Sequence, residues 1–251
     1  PFMPIQDDSD VYFIQFPSSW GQAWSENQWN NFRTWYDKNP DISKIRISPQ
    51  VLSWSESSWK KYFNAYLVYS GRYFVFPRIS LTTNFNDKGT HKVLDINHNG
   101  QTQLRITDTH YRFRYCADSF CRYDAHFELE DRSVHHYCPD LSEYSFELDL
   151  YAIKNLEQVT VPYLITIRPS RNFIKGYRRA LKPHEMNVIL NLPGEDIRLC
   201  RKEDIIAEAM SYRRRFADYR YYYANHLSGF RLSIYERMMR STFLSRFVHE
   251  K

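Results

Sequence analysis

At 251 residues, 43% of them hydrophobic, the chain is long enough to bury a sizeable core in one large domain or two small ones. No apolar run approaches the roughly 18 residues of a membrane-spanning helix, four cysteines do not make a disulfide scaffold and point to a reducing compartment, and seven glycines without a G-x-G-x-x-G or P-loop spelling exclude a phosphate cradle of that kind. The net charge of +5 belongs to the C-terminal end, where residues 210–251 carry nine Lys/Arg against Asp218, Glu236 and Glu250 and leave the body close to neutral.

The chain opens on Pro-Phe-Met-Pro with neither an initiator Met nor a signal-peptide pattern, and so reads as a fragment or a processed piece. Residues 10–16, aromatic and β-branched up to Pro17, read as a buried strand. Ser25 is a candidate N-cap, and Trp24, Trp29, Phe32 and Trp35/Tyr36 recur at helical spacing, which predicts a helix with most of these rings buried on one face. Ser55 or Ser57 is expected to cap a second helix through Trp59, Phe63, Tyr66 and Leu67, closing near Ser70-Gly71. A strand is expected at 73–77, then a polar exposed loop over 81–92. Alternating pieces at 103–106, 111–115, 123–128, 146–151 and 162–167 predict a mixed or antiparallel sheet. Pro183 is placed at N1 of a short helix, 194–199 as turn and strand, and two helices over 203–226 and 230–249.

All six tryptophans fall in the first 59 residues, and two of the runs that hold them carry small or hydroxylated neighbours: Pro17-Ser18-Ser19-Trp20-Gly21-Gln22 and Ser53-Trp54-Ser55-Glu56-Ser57-Ser58-Trp59. Together with Thr82-Thr83-Asn84-Phe85 and Gly89-Thr90-His91, these runs resemble bacterial family 2 glycosyltransferases, the GT-A-fold enzymes of surface-polysaccharide synthesis. The pieces Arg122-Tyr123-Asp124-Ala125-His126-Phe127-Glu128, Asp149-Leu150-Tyr151-Ala152-Ile153-Lys154 and Leu181-Lys182-Pro183-His184-Glu185-Met186-Asn187 extend the resemblance to about residue 200. A fainter similarity is to the acceptor half of the N-acetylglucosaminyltransferase I family. The resemblance implies an α/β fold: the acceptor-side part of a GT-A-like mixed sheet at 1–98, a smaller mixed or antiparallel β-rich region at 99–202, and a basic helical tail at 203–251. The family's nucleotide-binding half, with its metal-binding Asp-x-Asp, would lie before Pro1. Asp8-Ser9-Asp10 matches only by spelling and reads as solvated turn.

What the resemblance implies is inverting transfer of a sugar from a nucleotide-sugar donor to a bacterial surface glycan or lipid-linked acceptor, with a divalent Mn or Mg ion held outside this chain apart from a possible contact by His91. The fragment alone would be inactive. Such a transfer needs a carboxylate to accept the acceptor's proton and aromatic walls to place it. Glu56 is the nearest candidate base, because the family's aspartate pair is replaced here by Lys60-Lys61; the competing reading is a first-turn Glu favouring the helix dipole. His91 is assigned to the diphosphate or metal, Trp20, Gly21, Gln22, Ser58, Trp59 and Asn84 to the acceptor, and Lys60 and Lys88 to phosphate, against solvated or core roles for each.

Cys116, Cys121, His135, His136 and Cys138 offer zinc-capable atoms, but their spacing is looser than that of paired zinc ligands. In the tail, Phe230, Ile234 and Met238 form an apolar stripe flanked by Arg231, Arg237 and Arg240, as on a helix lying on anionic lipid. Arginines interleaved with tyrosines at 211–223 equally suit RNA, and a helix packed on its own domain suits both. The expected location is cytoplasmic, peripheral at the inner face of the membrane, with nucleic acid not the favoured partner. The rival to the transferase is a non-catalytic carbohydrate-binding or basic nucleic-acid-binding module.

Overall fold

The computed structural model describes residues 2–19, 21–38, 40–83, 103–108 and 110–206, and within them the chain is mixed α/β with two small mixed sheets. The first sheet is centred on β1 (Val11–Ile14), whose Val11, Phe13 and Ile14 are buried. Strand β2 (Phe74–Pro77) lies antiparallel on one side of β1, with Tyr12 opposite Phe76 and their rings stacked at 5.5 Å. Strand β3 (Arg122–Tyr123) lies parallel on the other.

Helix α1 (Glu26–Tyr36) begins where its sequence says it should. The Ser25 hydroxyl accepts from the Gln28 amide at 3.2 Å and the Gln28 side chain accepts from the Ser25 amide at 2.9 Å, a reciprocal capping box. The expected buried tryptophan face is narrower than its periodicity: only Phe32 is fully buried, Trp24 and Trp35 are half-covered and Trp29 is 43% exposed. Helix α1 meets α3 through Phe32, Trp35 and Tyr36, and of these only Phe32 is fully enclosed. Helix α2 (Pro49–Leu52) is a single turn with Pro at its start and the Ser48 hydroxyl accepting from Val51. Helix α3 (Trp59–Tyr69) buries Phe63, Ala65, Tyr66 and Leu67. It starts after Ser58 instead of Ser55 or Ser57, whose hydroxyls bond one another at 2.8 Å and close a turn of their own.

Residues 103–106 and 111–115 do not form the expected strands. Pairing amounts to one bridge between Leu104 and Ser80, plus hydrogen bonds between Asp10 and Arg112. Alternation marks a strip with two faces, but a strand also needs a hydrogen-bonding neighbour along its length, and here Ile106, Phe113 and Tyr115 stand 91%, 70% and 84% exposed. The expected strand at 123–128 shortens to β3 because the chain turns at once: Asp124 Oδ1 accepts from the amides of His126 and Glu128, and Phe127 takes φ 63°. Helix α4 (Asp131–Tyr137) follows.

The second sheet runs in the order β4 (Phe146–Asp149), β5 (Tyr163–Thr166), β7 (Ile197–Arg201), β6 (Lys175–Tyr177), parallel between β4 and β5 and antiparallel elsewhere. Helix α5 (Glu185–Ile189) starts two residues later than Pro183 at N1 would require; the Lys182–Pro183 peptide is cis and His184 takes the N-cap position. The largest apolar cluster draws Ile5 and Ile14 together with Tyr123, Phe146, Leu148, Ile165 and Tyr177. Described residues on both sides of position 98 therefore share one core. Asp8 and Asp10 are not simply solvated: Asp8 pairs with Arg114, Asp10 accepts from the Arg112 amide, and Ser9 between them is buried. The loop after Thr83 and the C-terminal tail, with the helices and lipid-facing stripe expected there, lie outside the described residues. No helix among the described residues is long and apolar enough to cross a membrane.

Candidate functional site

Two clefts open on the described surface. The larger, about 640 Å³, has an apolar floor of Phe13, Phe63, Leu67 and Phe74 and is entered past Gly21, Gln22, Trp24 and Arg72. Trp24 is fixed by Phe63, with ring centroids 4.2 Å apart, and by Trp29 edge-on at 5.4 Å, so its indole is held in place. Gly21 takes φ 61°, and a Cβ there would meet the Thr82 side chain at 2.8 Å, so only glycine lets residues 80–83 close against this edge. Gln22 is half-buried, and its Oε1 is shielded from water with no hydrogen-bond partner among the described residues. An acceptor left in that state costs free energy until a donor reaches it.

The far rim is set by the end of α3. Gly71 takes φ 62°, its amide reaches the Val68 carbonyl at 3.2 Å and the Arg72 amide reaches the Leu67 carbonyl at 2.8 Å, a Schellman stop. That stop delivers Arg72 to the cleft, where its guanidinium lies 5.8 Å from the Tyr66 ring centroid. Tyr73 donates its hydroxyl to Glu130, and the neighbouring Arg122 pairs with the same carboxylate at 2.6 Å. Among the described lining residues Arg72 is the one charged side chain.

The smaller cleft, about 350 Å³, is built of charge: Arg46, Asp124, His126, Glu147 and Lys154. Lys154 is buried, with its ammonium 2.6 Å from Asp124 and 3.1 Å from Glu147, and Glu147 also takes Arg46 at 2.5 Å. Burial works against the Lys154 ammonium, yet the carboxylates of Asp124 and Glu147 hold its pKa above the ordinary lysine value. Burial pushes His126 down to about 4 and raises Glu128 well above its ordinary range. Behind them Asp149 takes Arg168 at 2.5 Å, Thr166 and the Lys154 amide. Each carboxylate named here holds a cation or a backbone amide. The network ties the 124–128 turn to β4 and β5, whereas the larger cleft keeps, among the described residues, an unsatisfied acceptor and a cation without a carboxylate partner.

The sequence-predicted site residues divide accordingly. Gly21 and Gln22 line the larger cleft. Trp59 is 36% exposed at the start of α3, near Phe63 but not on the wall, and Ser58 precedes it without a side-chain cap bond. Glu56 borders neither cleft: it is 78% exposed and bonds the Lys61 ammonium at 2.5 Å and the Tyr62 hydroxyl at 2.7 Å, contacts that keep its pKa low. Lys60 is half-buried with its ammonium 5.3 Å and 5.6 Å from the ring centroids of Phe16 and Trp54, and burial lowers its pKa. Its position faces rings and not the cleft. Trp20, Asn84, Lys88 and His91 lie outside the described residues.

The zinc-capable side chains are dispersed. Cys121 faces the Ile5 carbonyl at 2.9 Å, Cys138 lies 3.7 Å from the Val188 carbonyl, His135 meets the Tyr144 carbonyl at 3.0 Å, and His136 stacks on Phe120 at 3.6 Å. Among the described residues no three His, Cys, Asp or Glu side chains group as metal ligands. The carboxylates of Asp124 and Glu147 are spanned by the Lys154 ammonium, so these two residues do not fit a divalent ion. Arg72 was not anticipated from sequence, although Ser-Gly-Arg at a helix end spells the stop that positions it. No family model, no curated protein and no solved structure matches this chain.

Proposed function

We propose that the chain forms the acceptor side of a family 2-like glycosyltransferase, seating a sugar of a bacterial surface glycan for inverting transfer from a nucleotide-sugar. The observation that supports this reading most is that Gly21, Gln22 and Trp24 border the larger cleft, where a fixed indole meets a polar lip. A pyranose has an apolar face that stacks on an indole and an equatorial rim of hydroxyls that needs partners at the edge. Trp24 supplies the first and the polar side chain of Gln22 an edge for the second. Holding the ring between them fixes which hydroxyl faces the donor, which is the largest contribution an acceptor site makes to a displacement.

In this reading Glu56 braces the turn before α3 through Lys61 and Tyr62, and Glu56→Gln leaves turnover unchanged. The test is calorimetric titration of the chain with fragments of bacterial surface polysaccharides, beside transfer assays with a panel of nucleotide-sugars. Saccharide binding that Trp24→Ala weakens at least tenfold supports the reading. Saccharide binding without transfer in any form of the enzyme favours the non-catalytic module. Binding of single-stranded nucleic acid but of no saccharide overturns both.

A further inference from the structure

We infer that the sugar seated in the larger cleft carries an anionic group, a carboxylate or a phosphate ester, which Arg72 receives; this rests on the acceptor reading above. Three observations converge on it. Among the described lining residues there is no Asp or Glu, and Arg72 is the one charged side chain. Arg72 is exposed and has no carboxylate within ion-pair distance among the described residues, a state it shares with Arg112, Arg132, Arg171, Arg178 and Arg198, none of which lines the cleft. Its backbone is fixed by the Schellman stop at Gly71, and its guanidinium rests near the Tyr66 ring, which leaves the planar N–H edge free to receive an oxyanion in a two-pronged contact. The Gln22 side chain also lines the cleft and gives it a polar edge for a hydroxyl of the same sugar. The cleft therefore asks for a ligand with an apolar face, a hydroxyl on one edge and negative charge on the other. A hexuronic acid and a phosphorylated hexose both meet that description; a neutral hexose meets only two parts of it.

The experiment titrates the chain, at low and at moderate salt, with a hexuronic-acid-containing oligosaccharide, its carboxyl-reduced neutral counterpart and a phosphorylated oligosaccharide with the same ring. The expected result is at least tenfold tighter binding of one or both anionic ligands than of the neutral one, narrowing with added salt. Arg72→Gln removes that difference while leaving the neutral ligand's affinity unchanged, and Arg72→Lys retains part of it. A gain confined to the phosphorylated ligand identifies phosphate as the anion, and a gain confined to the uronate identifies carboxylate. Equal binding of all three, or an equal loss for all three in Arg72→Gln, overturns the inference and leaves the acceptor reading standing. Binding of none, with the far-ultraviolet circular dichroism of the folded chain intact, overturns both.

Discussion

Replacing Glu185 by glutamine is expected to remove one loss of stability that the protein suffers as pH rises. Glu185 opens α5, is 3% exposed and accepts the Tyr123 hydroxyl at 2.9 Å, while that hydroxyl accepts the Ile5 amide at 2.7 Å, so one carboxyl joins α5, the first sheet and the N-terminal segment. Burial raises its pKa from 4.5 to about 7, against smaller opposing contributions from its own backbone and Tyr123. Between those values the folded chain holds a proton that the unfolded chain has released, so the contribution to stability is complete below pH 4.5 and is lost as pH rises to 7. At 1.36 kcal/mol for each pH unit the loss amounts to about 3 kcal/mol. Glutamine keeps the oxygen that Tyr123 needs and cannot ionise. Urea unfolding followed by tryptophan emission at pH 4.5, 6 and 8 should show the variant gaining about 3 kcal/mol on the parent across that range. The comparison is differential because His126 and His184, both lowered to about 4 by burial, contribute the opposite slope between pH 4 and 6.5 in both proteins. A gap between variant and parent that stays constant with pH would refute the reasoning.

Further expectations follow from single contacts. Lys154→Met leaves Asp124 without its cation and should lower stability by about 3 kcal/mol, with part of the loss recovered in the Lys154→Met/Asp124→Asn double variant, measured by urea unfolding. Gly71→Ala meets open space but forces a φ of 62°, so a cost of about 1 kcal/mol in the same assay is expected. Ser25→Ala breaks the capping box of α1 and should cost about 1 kcal/mol, with no change in saccharide affinity.

How far the sequence was legible depends on how local each signal is. Helix α1 could be read because its cap, first turn and apolar line are all within a few residues. The cores of β1, β4, β5 and β7 could be read because each has its own apolar run. Strand β6, with only Lys-Gly-Tyr, carries no pattern and exists because β7 offers it an edge. Helix α4 spells two histidines and a tyrosine in seven residues and is seated by the burial of Ser133 and Val134, a tertiary matter. At 111–115 the alternation was real but among the described residues no strand runs beside it, which periodicity cannot report. The same limit applies to the clefts. Gly21 and Gln22 stood out through their small and polar character next to tryptophan, and they do border a cleft. Asp124 and Glu147 stood in separate expected strands and Lys154 in a piece set apart by resemblance, and it takes the folding of β4 against the 124–128 turn to bring the Lys154 ammonium within 3.1 Å of both carboxylates. Glu56 illustrates the converse: its neighbours in sequence are tryptophans, yet its neighbours in space are Lys61 and Tyr62.

The most direct measurement of the central claim is fluorine NMR of the chain labelled with 5-fluorotryptophan, its Trp24 signal assigned by Trp24→Phe, during titration with an acidic bacterial oligosaccharide. The account predicts that the Trp24 resonance shifts and saturates with the binding isotherm while that of Trp35, which packs on Tyr66 and Tyr69 and does not line the cleft, stays in place. Saturable binding that leaves the Trp24 resonance unmoved would contradict it.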